Sequence, residues 1–91
     1  MPEVYFTVQL PDGTRKDCYS PSTVVHKFFA EGDEMSVTDF VSRSRTALTA
    51  ASERVRATHG FYCTSADAQI SAIERFTQTQ PADGKVRIIN I

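Results

Sequence analysis

The sequence is poor in the residues and patterns that announce most chemistries. It has no tryptophan, only two cysteines, four glycines and four prolines, and no apolar run longer than four residues. The short apolar runs fall far below the roughly 20 residues that a membrane-spanning helix requires, so no such helix is expected. The N-terminal MPEVYF has no basic region followed by an apolar stretch, which predicts a mature chain beginning near Met1 and a cytoplasmic location. Four glycines leave little material for a phosphate cradle. No phosphate loop, dinucleotide fingerprint, Gly-x-Ser-x-Gly elbow or zinc-protease helix is present. The formal net charge of −1 lacks the basic excess that nucleic acid or an anionic membrane demands, so neither partner is expected. Cys18 and Cys63 do not form a close pair, which fits reduced thiols unless the fold brings them together.

What is present is ordinary globular composition. Of the 91 residues 41% are hydrophobic and 23% charged, enough for one modest core in a single domain, residues 1–91. Val4, Phe6, Val8 and Leu10 alternate with polar neighbours, the period of a strand with one face on a core. Pro11-Asp12-Gly13 then reverses the chain into a second strand over Arg15 to Tyr19. Ser20-Pro21 reads as an N-cap followed by a first helical proline, opening a short helix with Val24, Val25, Phe28 and Phe29, and Gly32 ends it. Glu31 to Glu34 is expected to be a polar loop.

Ser36-Val-Thr-Asp39 has capping-box spacing with Asp in place of Glu, and a helix is predicted over residues 37–59. Val37, Phe40, Val41, Leu48, Ala51 and Val55 fall on one stripe of it. Gly60 is placed to end that helix. Ala66, Ile70, Ile73 and Phe76 repeat at helical spacing in a third helix running to about Thr79. After Pro81 and Asp83-Gly84, the β-branched run Lys85 to Ile91 reads as a last strand. The resulting expectation is an α+β fold, ββαααβ, with a three-stranded sheet in order 2-1-3, the last strand parallel to the first, and helices packed on one face.

Candidate chemistry is sparse. Cys18, Cys63, His26 and His59 match a Cys2His2 metal site in number but not in spacing, so no metal and no cofactor are expected. Cys63, just before the third helix, is where a helix dipole lowers a thiol pKa, which makes it, with Cys18, the candidate for a thiol enzyme or redox sensor. No base or orienting group is identifiable around it. A small-ligand sensor is a further alternative, with its pocket between sheet and helices lined by Tyr5, Tyr19 and Tyr62. The acidic loop Glu31, Asp33, Glu34 lacks the alternating ligand pattern of a calcium loop.

Surfaces are better represented. Arg43 and Arg54 flank one shoulder of the long helix's stripe with Ala47 and Ala50 between them, and Arg45 and Arg56 flank the other. Such arginines lay their stems over the stripe and pair with neighbours such as Asp39. The alanine strip either packs against the third helix or meets another subunit. The last strand, apolar on both faces, must pair internally or with a second copy of the chain, which places Ile89 and Ile91 with Arg43, Ala47, Ala50 and Arg54 as candidate partner-binding residues.

The PDG hairpin, Cys18-Tyr-Ser-Pro-Ser22, Asp39-Phe-Val-x-Arg-Ser-Arg-x-Ala-Leu48, Ala51-Ser-Glu-Arg-Val-Arg56 and Gly60-Phe-x-Cys63 together resemble a known family. Over about residues 1 to 76 the chain is similar to the small nitrogen-starvation-response proteins of mycobacterial type encoded in the nitrilase-1 gene cluster. That resemblance implies a setting of nitrile or cyanide assimilation, beside a nitrilase, a radical-SAM protein, an acetyltransferase, a protein related to purine biosynthesis and a flavin oxidoreductase. It implies a process and brings no active-site residue with it. Cys18 and Cys63 lie in the shared pattern, and His26 and His59 do not. The expectation is a non-catalytic accessory or regulatory protein acting by contact with a protein partner, such as the cluster nitrilase.

Overall fold

The computed structural model describes residues 3–60 and 64–91. Strands β1 (Val4–Gln9) and β2 (Arg15–Ser20) form the expected hairpin, closed by the backbone bond from the Leu10 N–H to the Thr14 carbonyl. The Asp12 carboxylate accepts from the Thr14 N–H at 2.9 Å, the side-chain turn that Asp favours at this position. A 3-10 turn (Thr23–Lys27), strand β3 (Glu34–Ser36), helix α1 (Val37–His59), helix α2 (Thr64–Thr77) and strand β4 (Lys85–Asn90) follow.

Two sequence expectations need correction in the middle of the chain. The first helix is a 3-10 turn capped by Ser22, whose side chain accepts from the Val24 N–H, and not an α-helix capped by Ser20. Ser20 is instead buried with its hydroxyl donated to the Ser22 carbonyl at 2.8 Å, so the Ser-Pro-Ser segment satisfies its own polar groups. The end of the expected polar loop, Glu34 to Ser36, is a strand, so among the described residues the sheet has four strands and there are two α-helices. Three residues are too few to show a period of two, and the segment becomes a strand only because β4 pairs with it.

Sheet order is β2-β1-β4-β3 with every pair antiparallel. The last strand does lie beside the first, yet it runs antiparallel to it. The reason is the helical hairpin: Arg45 near the start of α1 pairs with Glu74 near the end of α2, so the chain goes out and returns. Val37 and Thr38 donate their backbone N–H groups to Gly84 and Ala82, so α1 begins where β4 begins. A single crossover would have delivered a parallel strand. Two antiparallel helices return the chain to the same end of the sheet and deliver an antiparallel one.

Helix α1 spans the predicted residues. Ser36 caps it by accepting from the Asp39 N–H at 3.1 Å, and Gly60 ends it in the left-handed region at φ 78°. Its buried stripe is completed by Ser44, Ala47 and Ser52. The core joins Val4, Phe6, Val8 and Leu10 of the first hairpin arm to Phe40, Leu48, Ile73, Val86 and Ile88. Phe29 lies between layers, 5.8 Å from Phe6 of the sheet and 5.8 Å from Phe40 of α1. Both helices therefore cover one face of the sheet and leave the other to solvent.

A β-bulge in β4 resolves the problem of a strand apolar on both faces. Val8 opposes Ile88 while Thr7 opposes Asn90, so Ile89 is the extra residue. The skip in alternation turns Asn90 outward opposite Thr7 and lets Ile91 pack, half-buried, against the core. Nor is β4 an edge, since β1 and β3 flank it and the Gly32 and Asp33 backbone extends the β3 ladder through two bonds to Ile88. The edge at β2 is partly closed by α2, where Gln69 accepts from the Tyr19 backbone N–H at 3.0 Å.

Candidate functional site on the open sheet face

The outward positions of the hairpin are Tyr5, Thr7 and Gln9 on β1 and Arg15, Asp17 and Tyr19 on β2, paired Tyr5 with Tyr19, Thr7 with Asp17 and Gln9 with Arg15. Each row is bonded across the strands. The Tyr5 and Tyr19 rings are 5.5 Å apart and tilted by 56°, Thr7 donates to Asp17 at 2.9 Å, and the Arg15 Nε–H donates to Gln9 at 3.3 Å. Tyr5 is 65% exposed, an unusual state for a large apolar side chain on a strand. On the far side of Gln9 stands Arg87, itself opposite Glu34 of β3. The face thus runs from an aromatic pair at one end to two arginines at the other.

At the arginine end a cleft of about 410 Å³ is lined by Gln9, Arg15, Glu31, Gly32, Arg87 and Ile89. A second groove, of about 480 Å³, lies on the helical layer among Val37, Thr38, Val41, Arg45, Thr77 and Gln80. Among the described residues the ion pairs are Arg45 with Glu74 and Arg56 with Glu53, and no pair joins Arg43 to Asp39.

The residues singled out by sequence do not gather at one place. Cys18 faces the core, 2% exposed, and burial together with the neighbouring Asp17 charge pushes its thiol pKa up to about 12. A thiol protonated throughout the neutral range is no nucleophile. Cys63 lies outside the described residues, as does Tyr62. Tyr5 and Tyr19 are on the outer face and do not line a pocket between sheet and helices. Arg43 and Arg54 are exposed on α1, Ala50 is half-buried and Ala47 is fully buried in the core, so Ala47 is not available for presentation to a partner. Ile89 lines the open-face cleft, while Ile91 turns to the core. Among the described residues no three His, Cys, Asp or Glu side chains converge as metal ligands, and no helix is long and apolar enough to cross a membrane.

The pairing of Arg15 and Arg87 across Gln9 was not visible in sequence. Arg15 belongs to the first hairpin and Arg87 to the last strand, and only the β1–β4 register places them on either side of one residue.

Fold and face define a small two-layer α+β protein with one uncovered sheet surface. The chain belongs to the NitG family of nitrogen starvation-induced proteins, whose family profile matches residues 5–91. The match extends through β4 and takes in all of the sheet but Val4, the first residue of β1. No curated protein and no solved structure matches the chain.

Proposed function

We propose that this chain serves the nitrogen-starvation response as a non-catalytic cytoplasmic accessory protein that works by holding a protein partner on the open face of its sheet. Membership of the NitG family supports the process. The observation that carries the surface is the exposed Tyr5 ring, tilted against Tyr19 and backed by a bonded polar lattice of Thr7, Asp17, Gln9 and Arg15. Tyrosine offers a large, rigid contact area with a polar tip at little entropic cost, and tyrosine and arginine are enriched at interfaces. Both charge signs occur on this face, Arg15 and Arg87 against Asp17 and Glu34, which suits another protein's mixed surface better than a polyanion. The burial of Ala47 moves the contact surface away from the α1 alanine strip, and the state of Cys18 supports a role without thiol chemistry.

The partner to try first is the nitrilase of the gene cluster that the sequence resemblance implies. Tagged protein is recovered from its host grown under nitrogen limitation with a nitrile supplied, and bound proteins are identified. Stoichiometric nitrilase that is lost in Tyr5→Ser and retained in Arg54→Gln supports the reading. Recovery of the chain alone, or binding indifferent to Tyr5→Ser, sinks it. A dimer mass in light scattering that Tyr5→Ser abolishes would assign the face to a second copy instead.

A further inference from the structure

We infer that the cleft between Arg15 and Arg87 binds a small oxyanion, the carboxylate or phosphate group of a low-molecular-weight ligand. The register places Arg15 and Arg87 on the two neighbours of the same central residue, Gln9. With strands about 4.8 Å apart, their Cα atoms stand roughly 10 Å apart, a span two guanidinium groups can close over one ligand. Neither side chain is spent on an ion pair: the ion pairs among the described residues involve other arginines. Arg15 is instead held by its Nε–H on Gln9 Oε1, which leaves its terminal nitrogens and the Gln9 amide NH₂ as donors. A planar fork of N–H donors matches carboxylate and phosphate oxygens two at a time.

The walls shape the site further. Gly32 contributes no side chain, and Ile89, displaced by the bulge, contributes an apolar one. Bulges are over-represented beside functional sites because they re-aim side chains, and this one brings Ile89 into the wall next to Arg87. Glu31 in the wall offsets one of the two positive charges. Glu34 faces Arg87 from β3 without reaching ion-pair distance, and Asp17 is occupied by Thr7. The cleft's own lining, Arg15 and Arg87 against Glu31, carries one excess positive charge, and the flanking carboxylates Glu34 and Asp17 disfavour a multiply charged anion. The site therefore suits a ligand with one anionic group and a short body over Ile89. An isolated surface arginine is simply solvated, whereas two guanidiniums lining one cleft without an ion-pair partner offer one anion two charge-assisted forks.

The test follows backbone amides of isotope-labelled protein during titration with inorganic phosphate and, separately, with acetate, at ionic strength held constant with potassium chloride. Saturable shifts confined to Gln9, Gly32, Arg87 and Ile89 are expected. Arg15→Gln and Arg87→Gln should each weaken binding about tenfold or more, as loss of a charge-assisted pair does, while Arg54→Gln on α1 leaves it unchanged. Arg87→Lys, which keeps the charge but loses the fork, should also weaken it, and the amide spectrum shows whether each variant is folded. Saturation with phosphate alone identifies a phosphate-bearing ligand, and with acetate alone a carboxylate. Shifts that grow linearly with both anions, spread over all arginine surfaces, or persist in Arg15→Gln and Arg87→Gln overturn the site.

Discussion

Cys18 illustrates how little a residue's identity says before its surroundings are known. On β2 it occupies an inward position opposite Phe6, and desolvation makes its thiolate costly. In a Cys63→Ser background, Cys18 should therefore resist a thiol reagent at neutral pH in native protein and react fully in denaturant. The linkage has a definite sign: the folded pKa lies above the unfolded one, so the contribution is intact below about pH 9 and is lost as pH rises toward about 12. Gly84 is a residue whose role is steric. A Cβ there would fall 2.6 Å from Pro11 Cγ and 2.9 Å from Pro81 Cγ, between two rigid rings. Gly84→Ala should cost about 1–3 kcal/mol in denaturant unfolding, the range for overpacking.

Among the elements, α1 carries a cost of its own. Ser44 is 1% exposed and its hydroxyl has no hydrogen-bond partner among the described residues. Ser44→Ala removes a desolvated polar group and adds helix propensity, so it should stabilise the protein by roughly 1 kcal/mol. Unchanged or lowered stability would mean that the hydroxyl is satisfied in solution. Ser36→Ala should act oppositely, losing about 1 kcal/mol with the cap on Asp39. In β4 the bulge is the element's defining feature. Deleting Ile89 would remove the extra residue and restore regular alternation, with Asn90 still opposite Thr7 and Ile91 still turned to the core. The deletion should therefore cost little more in denaturant unfolding than Ile89→Ala, and a far larger loss would mean that the bulge itself is required.

At the scale of the molecule, the hairpin tip is tied to the far end of the chain. Asp12 accepts from the Thr14 N–H and from Gln80 in the α2–β4 connection at 3.1 Å, and these bonds hold its carboxyl below the usual carboxylate value. A depressed folded pKa contributes stability above the unfolded value and loses it as pH falls through the folded one. Acid unfolding should therefore be shallower in Asp12→Asn than in the parent below about pH 4. The same closure puts Gly84 against Pro11 and starts α1 beside β4, so hairpin, helices and last strand meet at one end of the sheet. Contact at the opposite, uncovered surface is then compatible with a rigid frame.

Local physics determined much of this protein in advance. The alternation of Val4, Phe6, Val8 and Leu10, the PDG turn, and the Ser36 and Gly60 boundaries of α1 are short-range signals, and each element formed where its residues demanded. The family was equally legible, because its motifs are linear. Tertiary structure alone decided the rest. Strand β3 is too short to display a period and exists through pairing with β4, and the direction of β4 was set by two helices that fold back on each other. The bulge at Ile89 depends on which faces of β4 meet the core. Burial removed Cys18 and Ala47 from the surface, and sheet register brought Arg15 and Arg87, far apart in the chain, to the two sides of Gln9. Long-range pairing creates such sites, and it leaves no pattern in any window of sequence short enough to read.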